Sequence, residues 1–196
     1  MDGAMRFNGS AYYVDWTDMQ VTRFDPQNIS ILTFVENAAD ATIQGAEGDI
    51  IYKPNENLTL FGAFSVNSTE LKSVYGKAVE LAPVGSQLPL TPSHQISLRA
   101  RYDWFMDNGW NAYVQGAIQT AASSYSSVVA VKRVEQDSYT LLDASVGAVK
   151  DSWKVELFAE NLSDERAELF INDQDDTMRV ATNRPFTLSL RVSYDL

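Results

Sequence analysis

The sequence ends in a strict alternation of apolar and polar residues, RPFTLSLRVSYDL, at positions 184–196. Phe, Leu, Val and Tyr occupy every second position, and Thr, Ser, Arg and Asp lie between them. Successive side chains of a β-strand point to opposite sides, so a period of two predicts a strand with one apolar and one polar face. The pattern runs to the last residue, and we therefore expect the C-terminus to be held in a sheet.

The same alternation recurs along most of the chain and predicts an all-β fold of antiparallel, up-and-down strands. It is clearest at 95–104, 110–119 and 153–160. We find no convincing helical period. Eight strands are predicted in four hairpins, at about 4–24, 29–53, 58–73, 93–106, 110–123, 138–149, 153–171 and 184–196.

Short and long connections alternate between these strands. PNEN (54–57), DNG (107–109) and KDS (150–152) are rich in the residues that tight hairpin turns need. Long links are predicted at about 74–92, 124–137 and 172–183. In an up-and-down sheet, this order places all short turns at one end. Outer-membrane barrels have the same asymmetry, with short periplasmic turns and long outside loops.

Composition excludes several classes of protein. The net charge of −11 argues against binding to nucleic acid. The chain has no cysteine, so it is neither a disulfide scaffold nor a cysteine zinc protein. It has no apolar run long enough for a transmembrane helix, whereas strands with alternating polarity remain compatible with a membrane barrel. The start, MDGAMRFNGSAYY, lacks the basic and apolar regions of a signal peptide, so we expect a mature chain or a fragment of a longer one.

The aromatic residues suggest which face of the sheet is outside. Trp104, Trp110 and Trp153 each lie close to a short turn and in the apolar set of their strand, and Tyr52 and Tyr194 occupy the same level. This arrangement predicts a membrane-interface girdle. The alternative is a soluble barrel in which the tryptophans close an apolar core. The charges on the opposite face favour the girdle, because they suit a wet or plug-filled lumen: Arg99, Arg101, Asp103, Lys154, Glu156, Glu160 and Arg191.

Four segments, taken in order, resemble one known family. They are AYYVDWTDMQ (11–20), NAADATIQGAEGDIIYKPNENLTLFGAFS (37–65), LPLTPSHQISLRARYDW (88–104) and VELFAENLSDERAELF (155–170). Together with the closing strand they resemble the C-terminal β-barrel portion of TonB-dependent outer-membrane receptors. The sequence departs from the family pattern at Asp49, where the usual Gly-x-Glu-x-Glu has a second Glu, and at Leu196, where the usual last residue is Phe.

The resemblance implies a barrel of 22 strands closed by an N-terminal plug domain, of which residues 1–196 would supply about the last eight strands. The plug, the signal peptide and the TonB-binding box would be absent from this chain. The implied function is energised uptake of a scarce nutrient, such as a ferric siderophore, through the outer membrane of a Gram-negative bacterium. The implied partners are outer-membrane lipid and lipopolysaccharide, the imported ligand, the barrel-assembly machinery, and TonB through the missing N-terminal part.

No catalytic constellation is found, so we expect neither an enzyme nor a cofactor. His94 is the only histidine, which excludes a multi-histidine metal site. His94, at a loop-to-strand junction, and Lys132 and Arg133, in a long predicted loop, are possible ligand contacts. A rim or solvated side chain without a ligand is the commoner explanation of such residues. The acidic stretch at 172–177 fits a solvated loop better than a cation site. Two alternatives to the receptor fragment remain: a complete eight-stranded outer-membrane barrel for adhesion or structure, and a soluble ligand-binding β-barrel.

Overall fold

A computed structural model describes residues 4–24, 33–73, 82–174 and 177–195. The fold is all-β, as predicted from the alternation. Its long strands form one eight-stranded sheet. They are β1 (Met5–Phe24), β2 (Thr33–Tyr52), β3 (Leu58–Leu71), β4 (His94–Phe105), β5 (Asn111–Ala121), β8 (Tyr139–Lys150), β9 (Trp153–Glu160) and β12 (Thr187–Tyr194).

These strands follow one another across the sheet in chain order, and every pair is antiparallel. The predicted up-and-down arrangement is therefore confirmed. Within the described residues, the ladder runs from β1 to β12 and does not join these two strands to each other. The sheet is thus open, which does not favour the alternative of a self-closed eight-stranded barrel. No helix among the described residues is long and apolar enough to cross a membrane.

The predicted short turns are tight, for local reasons. Gly109 has a φ of 83° and Asp151 a φ of 50°, in the left-handed region that closes such turns. In the first turn, the side-chain Oδ1 of Asn55 accepts hydrogen bonds from the backbone N–H groups of Asn57 and Leu58, at 3.0 and 2.9 Å. These three turns place the lower ends of the strands at one edge of the molecule.

The seventh predicted strand, 153–171, is wrong in its length. The strand β9 ends at Glu160, because Asn161 adopts a φ of 53° that breaks the extended backbone. Extended structure resumes at β10 (Glu168–Gln174), which pairs with β11 (Thr177–Thr182) in a separate hairpin. Two further short strands, β6 (Ser124–Tyr125) and β7 (Glu135–Gln136), and a 3-10 turn (Ala130–Lys132) lie between β5 and β8.

The sheet does not enclose an apolar interior in the part of the chain that is described. Large apolar side chains on one face are half exposed, including Leu98 at 50% and Leu190 at 67%. One small buried cluster lies at the opposite end from the short turns, where a returning loop covers β2 and β3. Its members are Met19, Ala39, Ala41, Leu71, Ala82 and Leu88, with Ile43 and Val128 packed against it.

Candidate functional site

An apolar row crosses six strands on one face of the sheet. The strand register pairs Leu190 with Leu157, Leu157 with Val146, Val146 with Val114, Val114 with Tyr102, and Tyr102 with Leu58. All but the last are large exposed side chains, from 43% for Leu157 to 67% for Leu190. A continuous apolar surface of this kind requires a cover of hydrocarbon or protein. A soluble barrel would instead bury this row in its interior.

The predicted girdle residues lie at the short-turn end of this apolar face. Trp153 and Tyr194 are register partners, and their ring centroids are 4.8 Å apart. Trp104 lies 6.1 Å from Tyr102, centroid to centroid, and Trp110 immediately precedes β5.

Tyr52 is the last residue of β2 and pairs with Leu60. All five predicted residues thus lie near the short-turn ends of their strands. Their common level and their contact with the membrane interface stay predictions.

A second border lies at the other end of the same face. There the outward positions become polar: Ser68 pairs with Gln44, and Thr120 pairs with Thr140. The apolar positions from Ile96 to Trp104 span about 26 Å along β4 at ~3.3 Å per residue, or roughly 20 Å across a membrane at a ~40° tilt. This height is comparable with the ~25 Å apolar band of outer-membrane barrels.

His94 lies at this second border. It is the register partner of Val66, is exposed, and shares the apolar face of β4 with Ile96 and Leu98. This outward position suits contact with the membrane interface better than contact with a ligand inside the barrel. The ligand contact stays a prediction.

A surface ion pair lies at the same end of the sheet. Just beyond the end of β3, the Lys72 ammonium donates a hydrogen bond to Glu70, and this bond raises the pKa of Lys72.

The opposite face carries a network of charged side chains, as expected. The Arg101 guanidinium donates hydrogen bonds to the Asp103 carboxylate at 2.8, 3.0 and 3.1 Å. The same group lies 3.7 Å from the ring centroid of Tyr113, a cation–π distance. Tyr113 is only 2% exposed and is the register partner of Asp103. The guanidinium is thus held between a carboxylate and an aromatic ring.

Tyr113 extends this network to the next strands. Its hydroxyl donates a 2.5 Å hydrogen bond to Oε1 of Glu156 on β9. The other carboxylate oxygen of Glu156 lies 3.4 Å from Nη1 of Arg191 and 3.5 Å from Nζ of Lys154. Charged groups from β4, β9 and β12 are therefore connected through one buried tyrosine on β5. The alternation indicated the charges, but not the tyrosine that joins them.

Asn161 organises the exit from β9. It is 4% exposed, and its side-chain amide donates to the carbonyl oxygens of Glu165 and Arg184, both at 2.9 Å. Its Oδ1 accepts from the N–H of Glu165 at 2.9 Å. Nearby, the Asp164 carboxylate accepts from the N–H of Phe186 at 2.9 Å. The NLSD segment (161–164) lies in the fourth stretch that resembles the family, and it fixes a turn and the start of the closing strand.

The two remaining candidates lie in the connection between β5 and β8. Lys132 is the last residue of the 3-10 turn. Arg133 follows it, and its guanidinium contacts neighbouring loop atoms, described below. No group of three or more potential metal-binding side chains is present among the described residues.

An antiparallel up-and-down sheet with an exposed apolar band, an aromatic lower border and a charged opposite face defines a wall segment of a transmembrane β-barrel. Residues 1–162 match the family described as "TonB dependent receptor-like, beta-barrel". The chain belongs to this family, and the expected resemblance is confirmed.

Solved structures share the fold. The ferric yersiniabactin uptake receptor FyuA from Yersinia pestis superposes on the whole chain with a TM-score of 0.79 and 15% identity. The ferric-catecholate import receptor Fiu from E. coli K12 covers 99% of the chain, with a TM-score of 0.74 and 19% identity. BauA, the ferric preacinetobactin receptor of Acinetobacter baumannii, covers all of it, with a TM-score of 0.72 and 21% identity.

The chain spans only part of these proteins: 28% of FyuA, 26% of Fiu and 28% of BauA. Among curated proteins, none matches its sequence.

Proposed function

We propose that this chain is a C-terminal part of the barrel wall of an outer-membrane receptor for energised nutrient uptake in a Gram-negative bacterium. The observation that carries the proposal is the exposed apolar row on one face of the sheet, opposite the network centred on Tyr113. A wall between lipid and a polar lumen needs these two faces. Ferric siderophores are the nutrient class that we favour, because three proteins of the same fold are named as receptors for ferric compounds.

In this proposal, residues 1–196 form part of a single barrel domain and supply eight of its 22 strands. The plug domain, the signal peptide and the TonB-binding segment belong to other parts of the receptor. The free edges of β1 and β12 pair with further barrel strands, which removes the aggregation hazard of open edges. The outer face contacts lipid and lipopolysaccharide, and the barrel-assembly machinery inserts the receptor. The role assigned to this chain is transport rather than catalysis.

Uptake by whole cells tests the proposal. The full-length receptor that contains this segment is expressed in an iron-starved Gram-negative host that lacks its own siderophore receptors. Radioactive iron is then supplied on a catecholate, a hydroxamate or a mixed-ligand siderophore. We expect accumulation of iron from at least one of these compounds, abolished when the host lacks TonB. Surface-exposed receptor without TonB-dependent uptake of any compound would contradict the nutrient class proposed.

A further inference from the structure

We infer that Arg133 is a positioning residue that holds the outer loops of this wall segment together as one preassembled rim. The inference deepens the proposed function, on which it rests for the side of the membrane where these loops lie. Residues 122–138, between β5 and β8, are called the central loop here. The loop between β3 and β4 lies on one side of it, and the connection from β9 to β12 lies on the other.

Arg133 joins the central loop to the loop before β4. Its Nη1 donates to the backbone carbonyl of Gln87 at 3.1 Å. A second bond runs close by, from the backbone N–H of Leu90 to the carbonyl of Tyr125 at 2.9 Å. The first bond joins a side chain to a backbone carbonyl and the second joins two backbone groups. Each connects residues that are far apart in sequence, so together they fix the spacing of the two loops.

Arg133 also closes the central loop on itself. Its guanidinium lies 3.6 Å from the ring centroid of Tyr125, and Nη1 is 3.4 Å from the carbonyl of Ser127. The backbone N–H of Ser126 donates to the carbonyl of Val134 at 2.9 Å. A planar group that stacks on a ring and donates from its edge suits arginine, whereas a lysine ammonium is a compact point charge without a flat surface. The geometry therefore depends on the residue type as well as on its charge.

Gln136 joins the central loop to the connection on the other side. Its side chain is 2% exposed, and its Nε2 donates to the backbone carbonyl of Glu168 at 3.0 Å. Gln136 lies in β7 and pairs with Ser124 of β6. Arg133, three residues earlier, contacts the same strand β6 through the ring of Tyr125. Displacement of Arg133 should therefore also loosen the hydrogen bond from Gln136 to Glu168 of β10, although Arg133 does not contact β10 itself.

An apolar anchor fixes the central loop to the strands. Val128 packs against the buried cluster that contains Leu71 of β3 and Leu88 of the preceding loop. Leu88 is held there by a hydrogen bond from its N–H to Oγ1 of Thr69, at 3.0 Å. The rim is thus attached to the sheet through apolar packing and joined across its loops through Arg133 and Gln136. A rim ordered in advance lowers the entropy cost that a ligand meets on binding.

Hydrogen–deuterium exchange of the full-length receptor, purified in detergent and free of ligand, tests this inference. Arg133→Ala is compared with Arg133→Lys and with Arg179→Ala, which removes an exposed arginine from β11. We expect Arg133→Ala to accelerate exchange about tenfold in peptides that contain Leu90 and Ser126, the scale expected for losing a hydrogen bond to a charged group. Exchange should also accelerate around Glu168, which Arg133 reaches only through Gln136.

Arg133→Lys should restore little of this protection, and Arg179→Ala should exchange like the unaltered receptor. Tyr125→Leu, which keeps the guanidinium but removes its stacking partner, should accelerate the same peptides and serves if Arg133→Ala does not fold. Wild-type exchange in all three loops of a folded Arg133→Ala receptor would overturn the inference. So would acceleration confined to the central loop. Hydrogen exchange does not depend on uptake, so failure of this inference is distinct from failure of the proposed function.

Discussion

The phenol ring of Tyr113 occupies the space beside Gly147, its register partner on the neighbouring strand. A Cβ atom placed on Gly147 would lie 2.5 Å from Cζ and Oη of Tyr113. Tyr12 and Gly45 are paired in the same way, with a Cβ position 2.7 Å from Oη. In each pair, the absence of a side chain on glycine lets the tyrosine lie close to the sheet. For Tyr113, this position brings the hydroxyl to Glu156.

Replacing Gly147 by alanine should therefore destabilise the barrel. The added methyl must displace the Tyr113 ring and the hydrogen bond to Glu156, and we expect a loss of about 1–3 kcal/mol, as in other overpacked sites. Unfolding of the full-length receptor in detergent, followed by heat-modifiable electrophoresis, measures the change. Gly116→Ala is the matched control, because nothing lies within 4 Å of its Cβ position. Equal stability of the two variants would show that the Tyr113 ring is not held as described.

The hydroxyl of Tyr113 can be tested separately from its ring. Tyr113→Phe keeps the stacking with Arg101 but removes the donor to the Glu156 carboxylate. We expect a loss of about 1.5–3 kcal/mol, the range for hydrogen bonds to charged groups. Tyr139 lies on β8, on the same face of the sheet as Tyr113. Tyr139→Phe removes a hydroxyl outside this network and should change stability less in the same unfolding assay. A larger effect at Tyr139 would argue against a special role for the network.

Asn161 should be intolerant of substitution. Asn161→Ala loses three side-chain hydrogen bonds, and it places a Cβ-bearing residue without local hydrogen bonding at a φ of 53°. We expect a loss of about 2–4 kcal/mol from both effects together. Asn161→Gly removes the same bonds but accepts the left-handed backbone, so it should be about 1 kcal/mol more stable than the alanine variant. Chemical denaturation of both variants measures the difference, and the reverse order would contradict the backbone argument.

A charge placed on the apolar face should be costly, and the same charge on the other face should not. Leu98 is half exposed near the middle of β4, and Ser97 precedes it on the opposite face. Leu98→Arg should destabilise the lipid-inserted receptor by about 2–4 kcal/mol, the cost of arginine near the bilayer midplane. Ser97→Arg should cost much less. Refolding into phospholipid vesicles across a urea series compares them, and equal costs would place both faces in similar surroundings.

Much of this architecture is encoded locally. Strict alternation predicts each long strand and its two faces, and Asp, Asn and Gly mark the short turns because few other residues adopt their backbone angles. The phase of His94 is also local: it lies in the apolar set with Ile96 and Leu98, so its orientation is readable from the sequence. What alternation does not reveal is the contact that ends β9. Asn161 places a polar residue where the pattern expects an apolar one, and its amide donates to the carbonyl of Arg184, which is distant in sequence.

The rim and the inner network were not predictable in the same way. Arg133 and Gln87 are far apart in the chain, and no periodic pattern relates two irregular loops. A basic pair in a loop, such as Lys132 and Arg133, usually indicates only solvated side chains. Tyr113 is polar at one atom only, so the alternation assigns it to a face without indicating that it joins Arg101 to Glu156. Such non-local contacts arise only once the strand register is set.

The central claim is that the apolar face of the sheet meets hydrocarbon and the charged face meets the lumen. The sequence has no cysteine, so single nitroxide labels can be attached at positions 97–100 of the full-length receptor, with any cysteine elsewhere replaced. Collision rates with oxygen and with a water-soluble nickel chelate are then measured in phospholipid vesicles. We predict high oxygen and low nickel accessibility at Leu98 and Ala100, and lower oxygen accessibility at Ser97 and Arg99. Labels at Leu98 and Ala100 that collide freely with nickel, while those at Ser97 and Arg99 report lipid, would contradict the account.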